Sequence, residues 1–138
     1  MRQQYVLGWS DVRPAMEAML AEAGKNPDRP VTIIVIDHHA DPIALVRMDG
    51  SGAGAVTVAT KKAYTALKTK VPTSKVVEHL AARGRELHDT GDPLVIAFPG
   101  GVPIIHPNGQ RLGAIGTSGY PGHDEVISQL GLSALKLE

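Results

Sequence analysis

The chain has 138 residues, with 14 Lys plus Arg against 14 Asp plus Glu and no cysteine. That length fits one domain, residues 1–138, with a moderate core. The charge balance excludes the basic excess of a nucleic-acid or anionic-membrane surface, and the lack of cysteine excludes disulfides, thiolate catalysis and zinc–thiolate sites.

Asp11 is expected to cap a first helix that holds Pro14 in its first turn and presents Met16, Met19, Leu20 and Ala23 on one face. Gly24 and Asn26-Pro27 end it. Val31 to Ile36 is a β-branched run that reads as a buried strand. Asp37 to Pro42 is a turn, and Ile43 to Met48 a second strand completing a hairpin. Gly54 to Lys68 reads as a helix with Ala55, Val58, Ala59, Ala63, Ala66 and Leu67 inward and Lys62 turned away. After Val71-Pro72, Thr73 or Ser74 caps a helix whose apolar positions are Val76, Val77, Leu80 and Leu87.

Three short strands follow: Leu94 to Phe98, Val102 to His106 and Arg111 to Thr117, the last two joined by the hairpin signal Asn108-Gly109. Asp124 and Glu125 suit the positive end of a final helix carrying Val126, Ile127 and Leu130. Hairpin connections dominate, so the sheet should be largely antiparallel with helices packed on it, an α+β domain. No leader opens the chain and no apolar run can cross a bilayer, so no membrane partner and a cytoplasmic location are expected. The zero net charge is compatible with self-association.

The densest punctuation is Pro99-Gly100-Gly101-Val102-Pro103-Ile104, then Gly113-Ala114-Ile115-Gly116-Thr117-Ser118-Gly119, then His123-Asp124-Glu125. Glycine at that density means sharp turns, or backbone that something approaches closely. A pocket floor of main-chain N–H groups and a pair of ordinary hairpin turns both satisfy the pattern.

Together with Val35-Ile36-Asp37, Arg47-Met48-Asp49-Gly50, Ala59-Thr60-Lys61-Lys62-Ala63-Tyr64-Thr65-Ala66 and Pro72-Thr73-Ser74, these pieces resemble the GlcG/HbpS family in order across nearly the whole chain. That family is also called the haem-degrading or haem-binding protein S family. The resemblance implies a profilin-like fold, a five-stranded antiparallel sheet flanked by helices. It also implies homo-oligomers with ligand sites near subunit contacts. Its functions are diverse: haem binding, an accessory domain of a corrinoid adenosyltransferase, and lyases that convert hydroxylamino-aromatic acids to catechols with loss of ammonia. Fold alone does not choose among them.

The chain departs from the family pattern at its histidines. His38-His39-Ala40-Asp41 stands where small residues and glycine are usual, and His123 where glutamine is frequent; His106 follows the Val-Pro-Ile-Ile strand. Histidine is the natural acid–base near neutral pH. A lyase would use His38 or His39 to shuttle protons, with Asp37 or Asp124 orienting the imidazole. Arg47 and Lys62 would clamp a substrate carboxylate. Arg47 paired with Asp49, a solvated Lys62, and Asp124 with Glu125 simply complementing a helix dipole are the plainer alternatives.

Thr65 and Thr73 could bond a ligand, or serve only in helix back-bonding and capping. A haem binder would draw an axial ligand from His38, His39, His106 or His123. Adjacent histidines at a strand end should point in opposite directions, which disfavours His38-His39 with His123 and Asp124 as a metal cage. The expected function is therefore binding of a flat aromatic molecule such as haem, with an aromatic-acid lyase as alternative and an assembly domain as a second. The expected set is His38, His39, Arg47 and Lys62 for catalysis. Asp37, Thr65, Gly100, Gly101, His106, Ser118, His123 and Asp124 are expected to line the ligand, and no metal site beyond haem iron is expected.

Overall fold

A computed structural model describes residues 1–137. Its elements in chain order are α1 (Trp9–Ala23), β1 (Thr32–Asp37), β2 (Pro42–Arg47), α2 (Ala55–Thr69), α3 (Val76–Ala81), β3 (Gly101–Ile105), β4 (Arg111–Ser118) and α4 (Asp124–Ser133). The strands form one antiparallel sheet in the order β2-β1-β4-β3. Strand alternation splits the side chains between two layers. Ile33, Val35, Val102, Ile104 and Ile115 face α1 and α4, where they meet Val12, Met16, Met19 and Ile127. Ile34, Ile36 and Ala114 face α2, where they meet Ala59, Ala63 and Ala66.

Small residues let α2 lie very close to the sheet. A Cβ on Gly116 would stand 2.1 Å from the Ala59 carbonyl oxygen, so the β4 backbone there is in direct contact with the helix. Arg111 completes the seating. Its Nε donates to the Leu67 carbonyl (2.9 Å) and a terminal nitrogen donates to that of Lys68 (3.2 Å), satisfying carbonyls left open at the C-terminus of α2.

The sheet has four strands, not the five expected. Leu94 to Phe98 has strand-forming residues but no strand partner. Its Ile96 N–H is taken instead by Thr65 Oγ1 of α2 (3.0 Å), and Leu94 and Phe98 remain exposed. The segment is tied to a helix side chain, which leaves no ladder to extend. The expected helix after Thr73 is also shorter: a 3₁₀ turn at Thr73–Lys75, α3, and a second 3₁₀ turn at Leu87–Thr90, with Val77 exposed.

At the other end α1 begins at Trp9, earlier than expected. Gly8 is its cap, and Asp11 bonds back to the Gly8 N–H from the third helical position (2.8 Å). Pro14 therefore falls inside the helix and removes a donor from the Ser10 carbonyl.

Candidate functional site

The glycine-rich turn and the start of α4 enclose a buried polar knot. Lys62 points inward from α2. Its Nζ lies 2.9 Å from the Thr117 carbonyl oxygen and 3.1 Å from Asp124 Oδ2. Asp124 Oδ1 accepts the Tyr120 N–H (2.8 Å), so both carboxylate oxygens are engaged. Ser128 Oγ donates to the Gly100 carbonyl (2.7 Å), which leaves the Thr117 hydroxyl to donate to Ser128 (2.8 Å). Thr73 Oγ1 accepts the Gly101 N–H (2.9 Å).

Gly100 and Gly101 are glycine because α2 presses on them. A Cβ on Gly101 would stand 2.2 Å from the Lys62 carbonyl oxygen, and Gly100 has φ +135°. What approaches this backbone closely is the protein's own helix. The knot fixes helix to sheet, and none of the described cavities is lined by Lys62, Gly100, Gly101 or Asp124.

Lys62 is thus buried, where it was expected to point away. Ala59, Lys62, Ala63 and Ala66 are spaced i, i+3, i+4 and i+7, which places Lys62 in the middle of the inward stripe. That spacing was the available signal. Thr65 is also buried: its hydroxyl donates to the Lys61 carbonyl (2.7 Å) while accepting from Ile96. Arg47 is exposed at the end of edge strand β2, paired across the sheet with Thr32.

His38 and His39 lie in a turn, not on a strand end, so alternation does not apply. Ala40 at φ +66° bends the chain, Asp37 Oδ1 accepts the N–H groups of His39 (2.8 Å) and Asp41 (3.0 Å), and the two imidazole rings meet tilted at 41° with centroids 4.0 Å apart. Both ring nitrogens of His38 are buried without a hydrogen-bond partner among the described residues. His123 Nε2 sits 3.3 Å from Glu22 Oε1, and its ring rests on Tyr120. Among the described residues no three His, Asp or Glu side chains converge on a point.

The enclosed space lies elsewhere. A cavity of about 410 Å³ opens where the N-terminal segment and the residues after α4 meet the β3–β4 hairpin. Its apolar walls include Val6, Leu7, Leu112 and Leu135; its polar groups are Ser10, Asp11, His106 and Lys136. Gln110 holds the N-terminal segment in place by bonding both the N–H (3.1 Å) and the carbonyl (2.6 Å) of Tyr5. That pins the Tyr5 ring against the His106 imidazole, stacked at 4.2 Å and 14° between planes. His106 Nδ1 accepts the Asn108 N–H (3.1 Å), so the proton of the neutral ring sits on Nε2. His106 was expected from sequence. Tyr5, Lys136 and Leu135 were not, because only the fold brings the two chain ends to one hairpin.

The chain is thus a small α+β domain built on a single antiparallel sheet. The chain is a member of the HbpS-like family, described as haem degrading, whose sequence model matches residues 7–132. It is 31% identical over 93 residues to an uncharacterised 15.0 kDa protein from the dhaT-dhaS intergenic region of Citrobacter freundii, an alignment covering 65% of this chain and 64% of that protein. Its fold matches a double mutant of HbpS from Streptomyces reticuli (TM-score 0.84, 25% identity, 99% of this chain and 91% of that one). It also matches the Klebsiella pneumoniae protein ORFY (TM-score 0.82, 24% identity, 96% and 93%) and a PduOC–haem complex (TM-score 0.79, 24% identity, 97% and 98%). No helix among the described residues is long and apolar enough to cross a membrane.

Proposed function

We propose that the chain is a small-molecule-binding domain whose ligand is a flat, mainly apolar molecule bearing an acidic group, with haem the first candidate. The cavity beside Tyr5 and His106 carries this reading. Its volume of about 410 Å³ falls in the range of small-molecule sites, and its walls are apolar with a few polar groups at fixed points. Lys136 offers a cation to an acidic substituent, and the Tyr5–His106 stack offers a flat wall. Membership of a haem-degrading family and the likeness to a protein crystallised with haem support porphyrin as the flat body.

The residues fit that body and a propionate better than they fit iron. With its proton on Nε2, the neutral His106 ring has no lone pair there to give a metal. His38 has both nitrogens unengaged but lines none of the described cavities. Self-association belongs to the same proposal: Leu94, Phe98, Val126 and Leu130 are exposed apolar side chains.

Haemin titration followed by absorbance tests the reading, run on the wild type, His38→Ala, His39→Ala and Ala134→Phe, the last of which fills the cavity. A saturable Soret shift at one haem per chain that Ala134→Phe removes is expected. A shift that survives Ala134→Phe and is lost in His38→Ala would move the ligand to the turn and overturn the cavity assignment. Absence of any saturable shift would overturn haem as the ligand.

A further inference from the structure

A second cleft, of about 500 Å³, lies at the N-terminal end of α2 and shares no lining residue with the first. Arg29, the glycines of the 50–54 loop, Ala55, Ser118 and Gly119 line it. Three sets of hydrogen-bond donors border it: the first turn of α2, which meets the cleft through Ala55 and Val58, then Ser118 and Arg29.

The first set is the N-terminus of α2. The helix starts behind Gly54, which has φ +81° and gives no side-chain cap, and its first turn contains no acidic residue. The Ala55 N–H reaches the Gly52 carbonyl (3.3 Å) and that of Val58 reaches Gly54 (3.0 Å). Between them, the N–H groups of Val56 and Thr57 make no hydrogen bond among the described residues. A helix of 15 residues ends here with its positive pole open.

The second donor is independent of the helix. Ser118 ends β4, where strand alternation with Ala114 and Gly116 turns its side chain to the α2 face. The residue is only 8% exposed, yet its hydroxyl has no partner among the described residues. Its neighbour across the sheet, Thr32, has by contrast taken Ser51 (2.7 Å). Its oxygen remains accessible, and Ser118 is among the residues that line this cleft.

The third is the Arg29 guanidinium. It has no carboxylate partner among the described residues and lies over the Tyr120 ring, 5.4 Å from its centroid.

We propose that this cleft binds an oxyanion, the carboxylate or phosphate group of a small molecule. The oxygens would accept from Ser118 Oγ and from the N–H groups of Val56 and Thr57, with Arg29 closing the open side. Asp28 also lines the cleft, Asp49 precedes its glycine turn, and Arg47 occupies the same cross-strand row as Thr32 and Ser118. The two arginines and two aspartates cancel. Affinity therefore comes from directed hydrogen bonds rather than from net charge, and the site favours a singly charged group over a dianion.

The test is amide NMR of the ¹⁵N-labelled full chain, titrated with inorganic phosphate and, separately, with benzoate. Saturable shifts of the Val56, Thr57 and Ser118 amides in at least one arm are expected. Ser118→Ala should weaken binding about tenfold, the loss of one hydrogen bond to a charged acceptor. Arg29→Gln, at an exposed position, is the second variant and should weaken it less. A response to benzoate alone assigns a carboxylate ligand, and a response to phosphate alone a phosphate. Silence of those amides in both arms would overturn the proposal. So would wild-type affinity in the Ser118→Ala protein, which would reduce the site to a bare helix end.

Discussion

Lys62 Nζ lies 3.1 Å from Asp124 Oδ2, with the two side chains only 5% and 4% exposed. The pair spans 62 positions in sequence and joins α2 to α4 through the sheet edge between them. Removing one member leaves the other buried without its countercharge, at a cost of about 3–5 kcal/mol. Lys62→Met and Asp124→Asn should each lower stability by that order in urea denaturation. The double variant should lose clearly less than the sum of the two. Strict additivity in that cycle would show that the pair is not coupled.

Gly116 is where sheet and helix touch. A Cβ there meets the Ala59 carbonyl at 2.1 Å and the Ala63 nitrogen at 3.0 Å, and neither backbone atom can swing aside. Gly116→Ala should destabilise the fold by about 3 kcal/mol, the upper range of overpacking. Gly52→Ala, with open space at its Cβ, is the comparison and should change stability little. Equal denaturation midpoints for the two variants would contradict the close approach.

Thr65 holds the segment 94–98 through the Ile96 N–H. Thr65→Val keeps the shape and removes the acceptor, leaving that N–H without a partner. A loss of about 1–3 kcal/mol is expected. Hydrogen exchange at the Ile96 amide should quicken more than that of the β1 amides. Unchanged protection at Ile96 would show that the hydroxyl does not carry this contact.

Asp92 is held well below its usual range, from 3.8 to about 2, first by the Lys68 ammonium and then by the Tyr64 hydroxyl and the Leu94 N–H. The same carboxylate raises Tyr64 and Lys68. A depressed carboxyl contributes stability that is fully present above its unfolded value and is lost as pH falls through its folded one. Wild-type stability should therefore decline between about pH 4 and pH 2, and Asp92→Asn should decline less steeply over that window. Parallel pH profiles for the two proteins would remove Asp92 from the account.

Much of the architecture was legible in the chain. The β-branched run at Val31 to Ile36 became β1, the Asn108-Gly109 turn joined β3 to β4, and the alanine stripe of α2 became its buried face. These features are local, because strand and helix periods and turn chemistry act over a few residues. Leu94 to Phe98 shows the limit of that logic. Its composition favours a strand, but the acceptor that its Ile96 N–H finds is a threonine 31 positions away.

The sequence by itself determined an antiparallel α+β domain, its family, and where backbone must be glycine. Tertiary structure alone decided the fate of the polar residues. It buried Lys62 against Asp124, gave Thr65 to the 94–98 segment, and left the Ser118 hydroxyl without a partner among the described residues. It also assembled the cavity from Tyr5, His106 and Lys136, residues from both ends of the chain and the hairpin between them. The physical reason is range. A side chain's preference for strand or helix is set by its neighbours in sequence. Whether its charge or hydroxyl is satisfied depends on partners that only the packed fold brings within 3 Å or so.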